Sequence, residues 1–484
     1  MMVSAKLTRY QYLMLRQGAK EKGCNLYPSY NKIIDQKKAC YPHEDSVVIT
    51  DRSAEIKLQA LADLTAARLC QVQSEVLTAF NSSGNSVLQM VYKWGSDGSG
   101  GQSRYKQRTS GSSSEIEIDD SNVLTTSLVP LQLYGESTEN KHVVIWQNPR
   151  TASTRFCRPI RFRYIKETNK VTIDEFQYVQ NQIDTINPTS VRIGNRHMLV
   201  YHTFLKTMVD GKVCNALSLN TYTQQCYICK AKPKDMNNLE LLKDRQCIVE
   251  TYSLGLSTLH AYIRFFECLL HIAYRLDIKE WQVRGIQKKE VVAAKKNMII
   301  TRFRTETGLL VDLPKQGAGN TNDGNTARRF FNNPVQSACI TGIDEKLIKS
   351  FAIILQVLSC GYDINTEKFE LFCKETAQLY VQLYKWFPMP VTVHKILTHG
   401  TAIISTFLLP IGQLSEEVQE SRHKEFKKFR ECYSRKSSRC NTNEDVLHNL
   451  LISSDPVISN LRPLPRKNMI SMNKEVLDLL KDPE

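Results

Sequence analysis

The sequence has no uncharged apolar run approaching the roughly 18 residues needed to span a bilayer. Its most apolar stretches, Phe351 to Leu358 and Ala402 to Leu409, are short and interrupted by Gln, Ser and Thr. The first residues, MMVSAKLTRYQ, are charged and aromatic and carry no apolar core of a secretory signal. Regular cysteine spacing is missing too: 14 cysteines are scattered along the chain, and only Cys226 and Cys229 form a C-x-x-C pair. Reduced thiols and metal ligation are therefore expected in place of a disulfide framework, as in a soluble intracellular chain. Acidic charge is in short supply. Lys and Arg number 64 against 49 Asp and Glu, a formal net charge of +15, which repels itself unless a polyanion is the partner. No basic segment accompanies a lipid anchor or an exposed apolar face, so nucleic acid is favoured over a membrane surface. Internal repeats are absent.

What is present is long enough for two to four domains. Residues 5–42 read as two short helices around the turn KGCNLYP, with Ser29 as the second N-cap. This pair suits DNA binding or self-association, or else a small helical cap on the core. Residues 56–79 have apolar positions at helical spacing. Strand-like runs follow at SVLQMVYKW (86–94), HVVIWQ (142–147) and CRPIRFRYIK (157–166), then the helical VTIDEFQYVQNQIDTI and a further strand-like run over 196–211. Three strands, a helix and another strand is the opening order of an RNase H-like fold. The Gly- and Ser-rich stretch from Ser96 to Asp120 is expected to be a mobile loop. From about residue 223 the chain turns helical, with SLGLSTLHAYIRFFECLLHIAYRL and EKLIKSFAIILQVLSC as long helices around the loop KQGAGNTNDGNTARRFF. Later helical blocks run from Ser415 to Tyr433 and from Glu444 to Ser453, with a Ser-, Arg- and Asn-rich turn between them.

Acids stand at marked places. Asp97 follows a strongly β run and is flanked by Gly95, Gly98 and Gly100, so its carboxylate is expected at a strand tip with room for a ligand; an ordinary turn aspartate has the same signature. Asp210, in KTMVDGKV, repeats the arrangement, although Asp-Gly is also a common turn dipeptide. Glu420 lies on a helix that can be projected at about 100° per residue. Val418, Phe426, Phe429 and Tyr433 then fall on one face and Glu420, Lys424, Lys427 and Lys428 on the other. That cationic face reads either as solvated ion pairs or as an acid holding metal beside cations holding phosphate. The second reading is preferred because Arg430, Arg435, Lys436 and Arg439 continue the basic run RHKEFKKFRECYSRKSSR. Cys226 and Cys229, with His394 and His399 in HKILTH, supply a closed Cys2His2 set for one structural zinc ion with no open catalytic position. Cys24, Cys40 and Cys70 fit no metal-binding spacing.

The ordered set GSDG, MVDGK, CYIC, HKILTH and QESRHKEFKKFR resembles the Transib transposases and the related catalytic core of the V(D)J recombinase, over essentially the whole chain. The resemblance implies that Asp97, Asp210 and Glu420 are a DDE triad for two Mg2+ or Mn2+ ions, and that Cys226, Cys229, His394 and His399 hold zinc. Glu417 competes for the third acid, but the following S-x-x-K-x-F-x-x-F-R aligns on Glu420.

On that pattern the chain begins near the dimerisation segment and lacks the recombinase's long N-terminal region with its RING-type zinc domain, which places it with the transposases and leaves open an accessory subunit. The implied activity is cut-and-paste transposition. Water nicks the element end, the 3′-hydroxyl attacks the opposite strand to leave a hairpin on the flank, and the element's 3′ end joins target DNA. Trp386, in YKWFPMP, is the candidate to stack on an extruded base, or else simply closes a helix end. A homodimer acting in the nucleus on double-stranded DNA with terminal inverted repeats, and on target DNA, is expected. The rivals are a recombinase-like endonuclease needing an accessory subunit, a nuclease without strand transfer, and a domesticated non-catalytic DNA-binding protein.

The fold expectation is an α+β multidomain chain: 1–55 a helical dimerisation and DNA-binding segment, 56–85 a helical linker, 86–222 an RNase H-like mixed α/β core, 223–300 a helical region with the cysteine half-site, 301–414 one with the histidine half-site, and 415–484 the Glu420 helix and a basic helical tail. The middle two form a large helical zinc-binding insertion.

Overall fold

A computed structural model describes the chain apart from residues 1, 4, 82–86, 104–119, 137–141, 316–318, 464–471 and 483–484. It is an α+β protein of two compact units, the first made of residues 1–205 and 418–468, the second of residues 206–417 and 469–484. No described helix is long and apolar enough to cross a membrane.

The first unit carries a mixed sheet of β1 (Val47–Ile49), β2 (Ser53–Ile56), β3 (Val87–Ser99), β4 (Val123–Glu136), β5 (His142–Gln147), β6 (Arg158–Arg163), β7 (Thr189–Ile193) and β8 (Arg196–Leu205). Their order is β1-β2-β6-β4-β3-β8-β7, with β5 sharing the β6 edge of β4. β3 and β8 are parallel; every other described pair is antiparallel. A parallel pair needs a crossover, and the connection from β3 to β8 includes a helix over Asn169–Ile183. Helices α1 (Arg9–Glu21), α2 (Tyr30–Lys38) and α3 (Leu58–Val72) precede the long strands, and that crossover helix is α4. β3 is buried over most of its length, as a strand covered on both faces should be. Trp94 packs against Phe176 of α4 on one face, with ring centroids 5.0 Å apart.

Three expectations change here. β3 does not end before Asp97: Asp97 pairs with Thr125 and the ladder runs on to Ser99 opposite Val123. Ladder hydrogen bonds outweigh the weak strand preference of Gly and Ser. Ser96 to Ser99 therefore belong to the sheet, and residues 104–119 of the expected loop lie outside the described residues. The longest strand, β4, was missed, because Pro130 at its centre argues against a central strand. The β3–β4 register slips there, with Tyr92 opposite Pro130 and Val91 opposite Gln132, and such a bulge is where a sheet tolerates proline. The segment expected to be helical over 1–55 also supplies β1 and most of β2.

The second unit is helical. Its elements include α5 (Gly211–Leu217), α6 (Thr258–Ala273), α7 (Glu345–Ser359), α8 (Thr366–Tyr384) and α9 (Val391–His394). Phe265 of α6 meets Phe351 of α7 at 4.6 Å. The expected loop before Phe331 holds a helix, Gly324–Phe331, capped by Asp323. Helix α10 (Glu417–Cys432) returns the chain to the first unit at Val418, and α11 (Arg439–Ser453) follows, starting earlier than the expected Glu444.

Candidate metal centres

Strand alternation builds the first site. Asp97 on β3 lies opposite Thr125 on β4, and Thr125 lies opposite Phe162 on β6, so the three form a row across one face of the sheet. α10 lies along this row. Phe426 packs edge-on against Phe162 with centroids at 5.0 Å. One turn earlier, His423 places Nε2 2.8 Å from Thr125 Oγ1 and Nδ1 3.5 Å from Asp97 Oδ2. One turn earlier again comes Glu420, in the direction that leads from β6 toward β3. Its charge acts on His423 together with a backbone hydrogen bond at Asp97, but burial dominates and pushes the imidazole down to about 4. Gly98 does not leave room for a ligand: a Cβ there would sit 2.8 Å from Glu167 Cβ, so the glycine accommodates a protein side chain.

The helix projection agrees with the burial of α10. Val418, Phe426 and Phe429 are buried, while Glu420, Lys424, Lys427 and Lys428 are exposed. Lys424 Nζ is 2.9 Å from Glu420 Oε1, and Lys427 Nζ donates to the carbonyl of Gly101 at 3.0 Å. Two of the expected DNA-binding cations are turned inward instead. Arg430 and Arg439 are buried and converge on the buried Asp120 carboxylate at 2.5 and 3.1 Å. A phosphate would have to displace that pairing. Arg435 is exposed and pairs with Glu444 and Asp445, and Lys436 Nζ donates to the Arg430 carbonyl and to Ser434 Oγ.

Asp210 belongs to the second unit. β8 ends at Leu205, and Asp210 is the N-cap of α5, its Oδ1 accepting from Val213 N at 2.8 Å. It borders a cavity of about 560 Å3 whose walls include Lys212, His260, Arg264, His271 and Trp281. Trp386 is half-buried after α8, edge-on to Phe387, and does not line that cavity, whereas Phe387 does. Glu417 is ion-paired with Arg328. Glu416 is buried; burial alone would raise its carboxyl, but hydrogen bonds from His260 and Ser257 bring it below the usual range.

The second centre is wholly within the second unit. Cys226, Cys229, His394 and His399 are buried, and one ligand atom from each lies within 4.8 Å of the others. The cysteines bracket a tight turn closed by Lys230 N to Cys226 O (2.8 Å) and Cys226 N to Ala231 O (2.9 Å), with Lys230 at φ 55°. His394 ends α9 and a π-turn runs from Lys395 to His399. Five residues along an α-helix would separate the imidazoles by about 140°. A π-turn closes at i to i+5 and brings them to one side. Their rings stand 5.1 Å apart at 87°. The closely packed Cys229 and the imidazoles of His394 and His399 hold Cys226 far below the ordinary thiol range, and the same closeness to Cys226, with burial, drives Cys229 up. Two soft sulfur donors with two imidazoles in a closed, buried set are a donor set that would suit zinc. None of the described cysteines is joined in a disulfide.

Sequence reasoning missed His423, whose only signal was its place one turn after Glu420, and Cys247, whose Sγ lies 3.7 Å from His399 Nδ1. Compared with known proteins, the chain matches no protein-family model and no curated protein.

Proposed function

We propose that the chain is a cut-and-paste DNA transposase of the DDE type, with an RNase H-like core and a zinc-stapled helical insertion. The observation that carries the reading is the approach of Asp97 to buried His423, which lies one turn from Glu420 on α10 and so brings two acids from distant parts of the sequence into one neighbourhood. The succession of antiparallel strands, helix and parallel β8 supports the core. The resemblance to Transib transposases assigns Asp210 as the third acid. These are hard oxygen donors, suited to Mg2+ or Mn2+. Two such ions, when bound, supply activation of the attacking oxygen and stabilisation of the leaving oxygen.

The residues do the rest. Asp97 and Glu420 present carboxylates, His423 and Thr125 fix the direction of the first, and Lys427 and Lys428 offer positive charge to the DNA backbone. Hairpin formation extrudes a base at a cost of a few kcal/mol. Trp386 remains a stacking candidate, and Trp281, which opens onto the cavity beside Asp210, is a second. The solvent-facing Tyr10, Leu13, Met14 and Leu15 of α1 support pairing of two chains.

The test is cleavage and joining of the element's own ends with Mg2+ or Mn2+ and an acceptor plasmid. Asp97→Ala, Asp210→Ala and Glu420→Ala should each abolish nicking and joining with DNA binding retained, while Glu417→Ala stays active. A variant that cleaves above trace level removes that residue from the triad. Cleavage without joined products would make the chain a nuclease, and neither product would make it a DNA-binding protein.

A further inference from the structure

Each histidine of the Cys2His2 set has two ring nitrogens, and a metal takes only one. The other must donate its hydrogen elsewhere, and that partner fixes the tautomer and the ring. His394 turns Nε2 toward Cys229 Sγ at 3.3 Å and has Thr398 Oγ1 3.3 Å from Nδ1. His399 is 4% exposed and its Nε2 is buried without a hydrogen-bond partner among the described residues. That atom is the one left for a metal. On the other side of the ring, Nδ1 lies 3.7 Å from Cys247 Sγ.

We propose that Cys247 is a positioning residue of the zinc centre: its sulfur accepts the Nδ1–H of His399 and holds the imidazole with Nε2 directed at the metal. The proposal rests on the zinc reading above. Cys247 stands outside the four residues whose ligand atoms converge within 4.8 Å, so it is a partner of a ligand and not a fifth ligand. Its place is fixed by its neighbours. Ile248 N donates to Ile228 O at 3.0 Å, between the two ligand cysteines. Arg245 reaches the Cys229 carbonyl at 3.5 Å and is anchored by Asp235 at 2.7 Å. The segment carrying Cys247 is therefore clamped to the C-x-x-C turn, and the sulfur is delivered to His399 by the same loop that delivers the cysteine ligands. Of the common second partners of a ligand histidine, a carboxylate or a carbonyl would serve in the same way; here a sulfur does.

The experiment measures zinc in full-length protein, by elemental content and by the rate of release to a coloured chelator, for wild type, Cys247→Ala and Cys247→Ser. Loss of a second partner of this kind costs about 10- to 100-fold in metal affinity. Cys247→Ala should release zinc faster by that order, and Cys247→Ser, which keeps an acceptor, should recover most of the difference. Cys247→Val, close in volume and without an acceptor, carries the comparison if the alanine variant does not fold. Cobalt substitution separates partner from ligand: the thiolate-to-cobalt absorption of Cys247→Ala should equal that of wild type. A fall in that absorption would make Cys247 a ligand and overturn the proposal, as would an unchanged release rate in Cys247→Ala and Cys247→Val. Wild-type protein that holds no zinc would instead fail the metal reading itself.

Discussion

If the Glu420 helix grips DNA beside the cut, the cations that do so can be counted. Each phosphate neutralised by a lysine contributes roughly 0.9 to the slope of log affinity against log salt on duplex DNA. Lys427 and Lys428 are exposed, and the hydrogen bond of Lys427 to the Gly101 carbonyl leaves its charge intact. Lys424 is exposed as well, but its ammonium lies 2.9 Å from the Glu420 carboxylate, so it contributes fully only when that carboxylate is occupied by a cation. The triple variant Lys424→Gln, Lys427→Gln, Lys428→Gln should thus flatten the slope by about two units without divalent ions and by up to about three with Ca2+ present. The assay is equilibrium binding of element ends from low to moderate salt, with an unrelated duplex alongside. The loss should be the same on both, because phosphate contacts position DNA and do not read it. Arg430→Gln is the control, since its guanidinium is spent on Asp120; it should lower thermal stability and leave the slope alone. An unchanged slope in the triple variant would mean that these lysines are a solvated face and that the DNA lies elsewhere. A lowered slope in Arg430→Gln would mean that the buried pairing opens to DNA.

Asp120→Ala removes the carboxylate on which two buried guanidinium groups converge, and removing one partner of a buried pair in this way costs about 3 to 5 kcal/mol; a loss below about 1 kcal/mol in urea unfolding would refute the burial argument. His202 and His423 are each pushed down to about 4 by burial, so the folded protein stays neutral where the unfolded chain takes up protons, and stability should fall as pH drops from about 6.5 toward 4. For His202 alone the loss between pH 7 and 5 is at most about 2 kcal/mol, and His202→Gln should flatten the profile in that window. Purified protein should hold one zinc per chain, and Cys226→Ser or His399→Ala should lower the melting temperature more than DNA affinity, because a closed site contributes folding free energy; metal-free protein of full stability would contradict this. Tyr10→Ser with Met14→Lys should convert a dimer to a monomer by light scattering, and a persistent dimer would place the contact off α1.

How far the sequence could be read depends on which force organised each region. α10 was legible because Val418, Phe426 and Phe429 repeat at helical period against a cationic face, and hydrophobic burial follows that period. The same reasoning treats every charged residue as solvated, and it failed at Arg422, His423 and Arg430, which are buried on this helix. Arg422 donates to the carbonyls of Thr154 and Cys157, and Arg430 to Asp120, so each enters the interior with a partner that only the tertiary fold supplies. β4 was hidden by a proline whose tolerance depends on a bulge in its neighbour's register. The candidate metal centres divide along the same line. C-x-x-C and H-x-x-x-x-H are local spacings and were visible, while Cys247 and Thr125 act on site residues far from them in sequence. The residues most easily read were those whose neighbours along the chain determine their role. The residues that aim them, His423 at Asp97 and Cys247 at His399, take their role from contacts across the fold. Substituting those two tests whether the sites are built as the geometry implies, because neither was among the residues that the motifs marked as ligands.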